Sequence, residues 1–131
     1  MSQGRSVTVL HVSDTQFGKE HRFGEEGLTP GDRRHSFLAA RTLKDVRHLE
    51  DEHGLRPDLV VASGDLAEWG LPKEFKQVQE FLEELTDGLG LSRDRVVMVS
   101  GNHDVSRRKC QRYFEECEDN DTEPIPPYWP K

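Results

Sequence analysis

The sequence predicts an α/β fold in which three largely parallel strands alternate with three helices that cover the faces of the sheet. Three segments share one pattern: a run of apolar and β-branched residues, then a small residue, then an acid or an amide. Between these segments, apolar residues recur at steps of three and four, as they do along one face of a helix. The resulting order, βαβαβα, is typical of a parallel sheet. The three segments are VTVLHVSD (7 to 14), DLVVASGD (58 to 65) and RVVMVSGNHD (95 to 104).

Each strand is a nearly continuous apolar run without clean alternation, which favours a sheet that is buried on both faces. The first helix is predicted over about residues 34 to 53, with its end at Gly54. The second begins near Pro72, and the third is opened by Ser106 as an N-cap. The apolar positions that predict the helices are Leu38, Leu43, Val46 and Leu49 in the first, Phe75, Val78, Leu82, Leu85 and Leu89 in the second, and Cys110, Tyr113, Phe114 and Cys117 in the third.

Right-handed crossovers would make the three strands point the same way, so that their polar endings meet at one edge of the sheet. Ligand sites of open α/β sheets lie at this carboxyl edge. The charged, glycine-rich loop at 17 to 33 follows the first ending and is either a lid or substrate loop or a solvated connection. The residues predicted to converge are Asp14, Gln16, Asp65, Asn102, His103 and Asp104.

Length and charge limit the classes of protein. The chain has 131 residues, which suits one domain, and a net charge of -7, which disfavours nucleic acid as a partner without excluding it. No apolar run reaches the roughly 18 residues of a membrane span, and no signal sequence opens the chain. We therefore expect a cytoplasmic protein without a membrane partner. Residues 119 to 131 are acidic and then proline-rich, which predicts a tail or a linker.

The converging side chains suit a pair of divalent cations, because such a pair needs oxygen ligands and a carboxylate that can bridge. Asp14 and Gln16 would lie on one side of an extended segment and reach one ion. Asp65 would bridge both ions, and Asn102 would bind the second.

Two further residues would serve the chemistry next to the ions. His103 is a candidate acid for a leaving oxygen or a donor to a phosphate, and Asp104 is a candidate partner that orients its imidazole. Taken singly, most of these residues would also fit a turn or a helix cap. Their occurrence at three successive strand ends favours the site.

Three of these stretches resemble motifs of the calcineurin-like metallophosphoesterases: LHVSDTQFG resembles the first motif, GDLAEWG the second and SGNHD the third. The resemblance runs from about residue 6 to residue 118 and implies one half of the α/β sandwich of that family. It also implies Asp14 on one metal ion, Asp65 bridging, Asn102 on the other ion and His103 as the catalytic histidine.

By this resemblance, the chain would be a metal-dependent phosphoesterase module with two divalent ions, manganese foremost and iron, zinc or magnesium as alternatives. It would hydrolyse a phosphomonoester or phosphodiester of unknown class through a water activated by both metals. The alternative is a catalytically silent half-domain that acts as an interaction or regulatory module. A nucleotide-binding domain is disfavoured, because no phosphate-binding glycine motif follows the first strand.

The sequence departs from the family pattern in two ways. Gln16 stands where the first motif usually has histidine, as in a branch of the family that reads D-x-Q-F-G, so this ion would be held less tightly or be a harder ion. The later histidine ligands of the family would fall after residue 131. We therefore expect residues 1 to 131 to form a single, incomplete domain with an unpaired sheet edge and one uncovered apolar face. Its missing half, another chain or a second copy would complete the site.

Overall fold

The computed structural model describes residues 4, 6–18 and 34–123 of the chain. The predicted loop at 17 to 33 and the predicted tail at 119 to 131 therefore lie mostly outside the described residues. The predicted order of strands and helices is confirmed. The elements are β1 (Val9–Ser13), α1 (Arg34–His53), β2 (Leu59–Ser63), α2 (Pro72–Leu89), β3 (Val96–Val99) and α3 (Arg107–Asp119), with short 3₁₀ turns at Arg93–Arg95 and Asn102–Asp104.

The three strands form one parallel sheet in the order β1-β2-β3. Their carboxyl ends are level, because Ser13 pairs with Ser63 and Ser63 pairs with Val99. The parallel alignment continues past the first two strands, where Phe17 forms an isolated bridge with Ala67. Residues that follow the three strands therefore begin at the same height on one edge of the sheet.

One face of the sheet carries the core. Val60 and Ala62 of β2 are fully buried there, beneath apolar residues of both α1 and α2. Phe17, from the loop after β1, also lies in this core, with its ring centroid 5.2 Å from that of Phe81 in α2. The loop that carries Asp14 and Gln16 is thus anchored in the core at its next apolar residue.

The other face of the sheet is open within the described residues. Val97 and Val99 of β3 are 46% and 55% exposed. The expectation that both faces are buried is therefore wrong for this part of the chain, whereas the expected uncovered apolar face is present. The reason lies in the strand order β1-β2-β3, in which each strand pairs with the next one along the chain. Right-handed crossovers in this order place both connecting helices, α1 and α2, on the same face of the sheet.

The described helices are amphipathic rather than uniformly apolar. In the described part of the chain, no helix is both long and apolar enough to cross a membrane.

Candidate functional site

The loops that follow the three strands are joined by backbone hydrogen bonds. The N–H of Asp14 donates to the carbonyl of Gly64 at 3.0 Å, and the N–H of Gln16 donates to the carbonyl of Asp65 at 2.9 Å. On the other side, the N–H of Gly64 donates to the carbonyl of Val99 at 2.7 Å. The structure therefore brings the predicted endings together at one edge of the sheet.

Three residues of these loops adopt left-handed backbone conformations. The φ angles are 54° for Asp14, 44° for Gln16 and 49° for Asp65. Only one other described non-glycine residue, Asp121, has a positive φ. Such conformations cost about 1 kcal/mol or more each, and they cluster at functional sites because the surrounding contacts there enforce them.

Because of their left-handed conformations, Asp14 and Gln16 do not lie on an extended segment as the sequence predicted. β1 ends at Ser13, and the next residues turn to donate their N–H groups to the loop after β2. The expectation that the two side chains share a side of an extended segment is therefore wrong, since alternation holds only for extended backbone. What places Asp14 and Gln16 at the site is hydrogen bonding to Gly64 and Asp65.

Asp65 is the centre of the arrangement. Its Oδ1 accepts the N–H of His103 at 2.9 Å. Gly101 packs directly against it, because a Cβ on Gly101 would collide with the backbone N and Oδ1 of Asp65 and lie 2.9 Å from the Cα of Gly64. The requirement for glycine at 101 is therefore one of space, since the φ of this residue is an ordinary -103°.

Asp104 joins the loops after β2 and β3. The expectation that it orients the imidazole of His103 is wrong, because the ring nitrogen Nδ1 of His103 lies against the carbonyl of Glu68 instead. Its Oδ1 accepts the N–H of Ala67 at 2.7 Å, and its Oδ2 accepts the N–H of Gly101 at 2.8 Å. Both carboxylate oxygens are thus committed to backbone amides of the loops after β2 and β3. Asp104 is a positioning residue in this geometry, because it holds Gly101 against Asp65.

The imidazole of His103 is oriented by a backbone carbonyl. Its Nδ1 lies 2.9 Å from the carbonyl oxygen of Glu68. A carbonyl can only accept, so Nδ1 carries the hydrogen and neutral His103 presents a lone pair at Nε2. No described residue forms a hydrogen bond with Nε2 in the structure. The ring is therefore positioned to exchange a proton at Nε2.

Glu74 supports the loop after β2, which carries Glu68. This residue was not among the predicted site residues. It is only 1% exposed, and its Oε2 accepts the N–H groups of Trp69 at 2.9 Å and Leu71 at 3.0 Å. These amides flank the turn directly after Glu68, whose carbonyl holds His103. Proline at the first helical position with glutamate two residues later is a helix-start signal that would have marked Glu74.

The side-chain amide of Asn102 lies between Asp65 and Arg107. It is 3.1 Å from Asp65 Oδ1 and 2.8 Å from a guanidinium nitrogen of Arg107. Both contacts are hydrogen bonds when the amide nitrogen faces Asp65 and the amide oxygen faces Arg107. In the reverse orientation two acceptors face each other, which is favourable only when a cation lies between them.

The donor chemistry fits a hard divalent cation. Asp14 and Asp65 offer carboxylates, and Gln16 and Asn102 offer amide oxygens, which are the ligand types that magnesium, calcium and manganese prefer. In the described ranges, no three His, Cys, Asp or Glu side chains come together as a metal site. An ion at this edge would therefore depend on the amide oxygens as well as on the carboxylates.

The three parallel strands and three helices form an α/β half domain of the metallophosphoesterase type. The family model for calcineurin-like phosphoesterases matches residues 7–129, and the chain belongs to that family.

A cAMP/cGMP dual specificity phosphodiesterase from Mycobacterium tuberculosis (strain CDC 1551 / Oshkosh) is 35% identical to the chain over 98 residues. The alignment covers 73% of this chain and 26% of that phosphodiesterase. The chain thus spans about a quarter of the length of this relative.

Proposed function

We propose that the chain is a metal-dependent phosphoesterase module that hydrolyses a phosphodiester or a phosphomonoester. The observation that carries the proposal is the link between Asp65 and His103: one carboxylate oxygen of Asp65 receives the N–H of the residue whose ring is aligned for proton transfer. Family membership supports the reaction class. The mycobacterial relative is a phosphodiesterase, which supports phosphodiesters ahead of monoesters.

In this proposal, two divalent cations, manganese foremost, would be held by Asp14, Gln16, Asp65 and Asn102, and Asp65 would be the ligand shared by both ions. Divalent cations, when bound, stabilise the charge that develops on the phosphoryl oxygens and lower the pKa of a water nucleophile. The chain would supply the ligand oxygens, and hydrogen bonds join the three loops that carry them.

His103 supplies the proton in this proposal. When protonated, its Nε2 donates to the leaving oxygen, while Nδ1 stays hydrogen-bonded to the carbonyl of Glu68. The hydrogen bond to the fixed carbonyl keeps the ring from rotating away from this position. Glu74 and Asp104 hold the loops on which this alignment depends.

The experiment is to load the purified chain with Mn²⁺, remove free metal, and measure the metal content together with the mass in solution. Hydrolysis of bis(p-nitrophenyl) phosphate and of p-nitrophenyl phosphate is then followed on the same sample. We expect about two ions per chain and faster cleavage of the diester. Little or no bound metal would contradict the proposal and favour the alternative, a catalytically silent interaction or regulatory module.

A further inference from the structure

Arg107 brings a positive charge to a site whose described ligands are acidic or neutral. It is the first residue of α3, its side chain is exposed, and its guanidinium lies 2.8 Å from the Asn102 amide. Asp14, Asp65 and Asp104 are all carboxylates, and the chain carries a net charge of -7. A phosphate anion near these groups is repelled unless cations or basic side chains offset them.

The amide oxygen of Asn102 can serve only one of two partners. It accepts from Arg107 when the amide nitrogen donates to Asp65, and this arrangement satisfies both neighbours in the absence of a cation. If a cation binds beside Asp65 and takes the amide oxygen, the amide must turn over, and the bond to Arg107 is lost. The guanidinium is then released within a few ångströms of the bound ion.

We propose that Arg107 is a substrate-binding residue of this site, which holds the Asn102 amide oxygen in the metal-free chain and binds a phosphoryl oxygen once metal binding has released it. The inference rests on the proposed function and adds to it a ligand for the phosphoryl group. A released guanidinium is suited to this task, because its planar set of N–H donors matches phosphate geometry and stays charged at all relevant pH values.

This exchange predicts opposite effects of one substitution on two ligands. Arg107→Met removes a competitor for the amide oxygen, so Mn²⁺ should bind more tightly by about two- to tenfold. The same substitution removes a charged donor to phosphate, so inorganic phosphate should bind the Mn²⁺-loaded chain more weakly by about ten- to 100-fold. A residue with a merely structural role would move neither affinity, or would weaken both.

Arg108→Met is the matched control. Arg108 follows Arg107 on the same helix, is also exposed, and has no hydrogen bond or ion pair to any described residue. The control removes the same charge without touching Asn102, so both affinities should change by about twofold or less. Circular dichroism and urea unfolding of both variants establish that they fold as the wild-type chain does.

The experiment is calorimetric titration of the 131-residue chain and both variants, first with Mn²⁺ and then, on the loaded protein, with inorganic phosphate. Tighter Mn²⁺ binding and weaker phosphate binding in Arg107→Met alone would support the proposal. Phosphate affinity that is equal in Arg107→Met and the wild type would overturn it, while leaving the proposed function intact. A wild-type chain that binds no Mn²⁺ would instead refute the proposed function, and the role of Arg107 with it.

Discussion

The backbone N–H of His103 donates to Oδ1 of Asp65 at 2.9 Å, although the two residues are 38 positions apart in the chain. This bond ties the candidate proton donor to the candidate bridging carboxylate. It also links the loop after β2 to the loop after β3.

Asp65→Asn should weaken Mn²⁺ binding by at least about 100-fold, more than Gln16→Ala does, because Asp65 is the proposed bridging carboxylate, whereas Gln16 offers one ion a neutral amide oxygen. The amide oxygen introduced by Asp65→Asn can still accept the N–H of His103, so the loop should keep its position. Calorimetric titration with Mn²⁺ measures both losses.

Asp58→Asn is the control for this comparison. Asp58 accepts the N–H of Thr8 at 2.9 Å at the opposite end of the sheet, so its substitution should leave Mn²⁺ affinity unchanged. Equal losses in Asp65→Asn and Gln16→Ala would argue against a two-ion site.

His103→Ala should leave the Mn²⁺ content unchanged and lower the rate of diester cleavage by about 10²- to 10⁴-fold, as expected for loss of a general acid. Metal analysis and steady-state kinetics on one preparation test both statements. His48→Ala is the control, since His48 is exposed on α1 and lies 3.3 Å from Glu52, on the helix surface. Loss of bound metal in His103→Ala would show that the imidazole is a ligand rather than an acid.

Neutral His103 should carry its hydrogen on Nδ1, because that nitrogen lies 2.9 Å from the carbonyl oxygen of Glu68 and a carbonyl cannot donate. Long-range ¹H–¹⁵N correlation spectra distinguish the two ring nitrogens directly. A hydrogen on Nε2 would mean that the carbonyl of Glu68 does not orient the ring.

Gly101→Ala should lower the free energy of unfolding by about 1–3 kcal/mol and abolish Mn²⁺ binding, since the added methyl group would displace the backbone and carboxylate of Asp65. Urea denaturation and metal titration give the two values. Gly4→Ala is the control, because no described atom lies within 4 Å of a Cβ at that position. Wild-type metal affinity in Gly101→Ala would show that Asp65 can shift without consequence.

Glu74→Ala should lower the free energy of unfolding by about 2–4 kcal/mol, because it leaves the N–H groups of Trp69 and Leu71 without their acceptor. Glu74→Gln should restore most of that loss, since its amide oxygen can accept the same bonds. Lys76→Ala, at an exposed position of α2, is the control. Similar unfolding energies for Glu74→Ala and Glu74→Gln would show that the buried carboxylate does not hold the loop through these bonds.

Helix and strand positions could be predicted because they depend on local patterns. The predicted first helix, about 34 to 53, agrees with α1, and Pro72 and Ser106 mark the starts of α2 and α3 as expected. The convergence of Asp14, Asp65 and His103 also followed from sequence, since a parallel sheet with right-handed crossovers places all carboxyl ends at one edge.

The partners of individual side chains could not be predicted in this way. Asp104 stands next to His103 in sequence, yet its two oxygens bind the amides of Ala67 and Gly101. Glu74 carries a helix-start signal, but nothing in the sequence shows that its carboxylate supports the loop that orients His103. The contact between Arg107 and Asn102 has no sequence signal, because it depends on how α3 leaves the 3₁₀ turn.

The sequence by itself determined the order of the elements, the edge of the sheet where the candidate site lies and the chemical types of its candidate ligands, because side-chain periodicity and strand endings are local properties. The tertiary structure alone decided the left-handed backbone of Asp14, Gln16 and Asp65, the carbonyl that orients His103 and the open face of the sheet. Those features depend on hydrogen bonds and packing between loops that are far apart in the chain, and only the register of the three strands brings those loops within reach of one another.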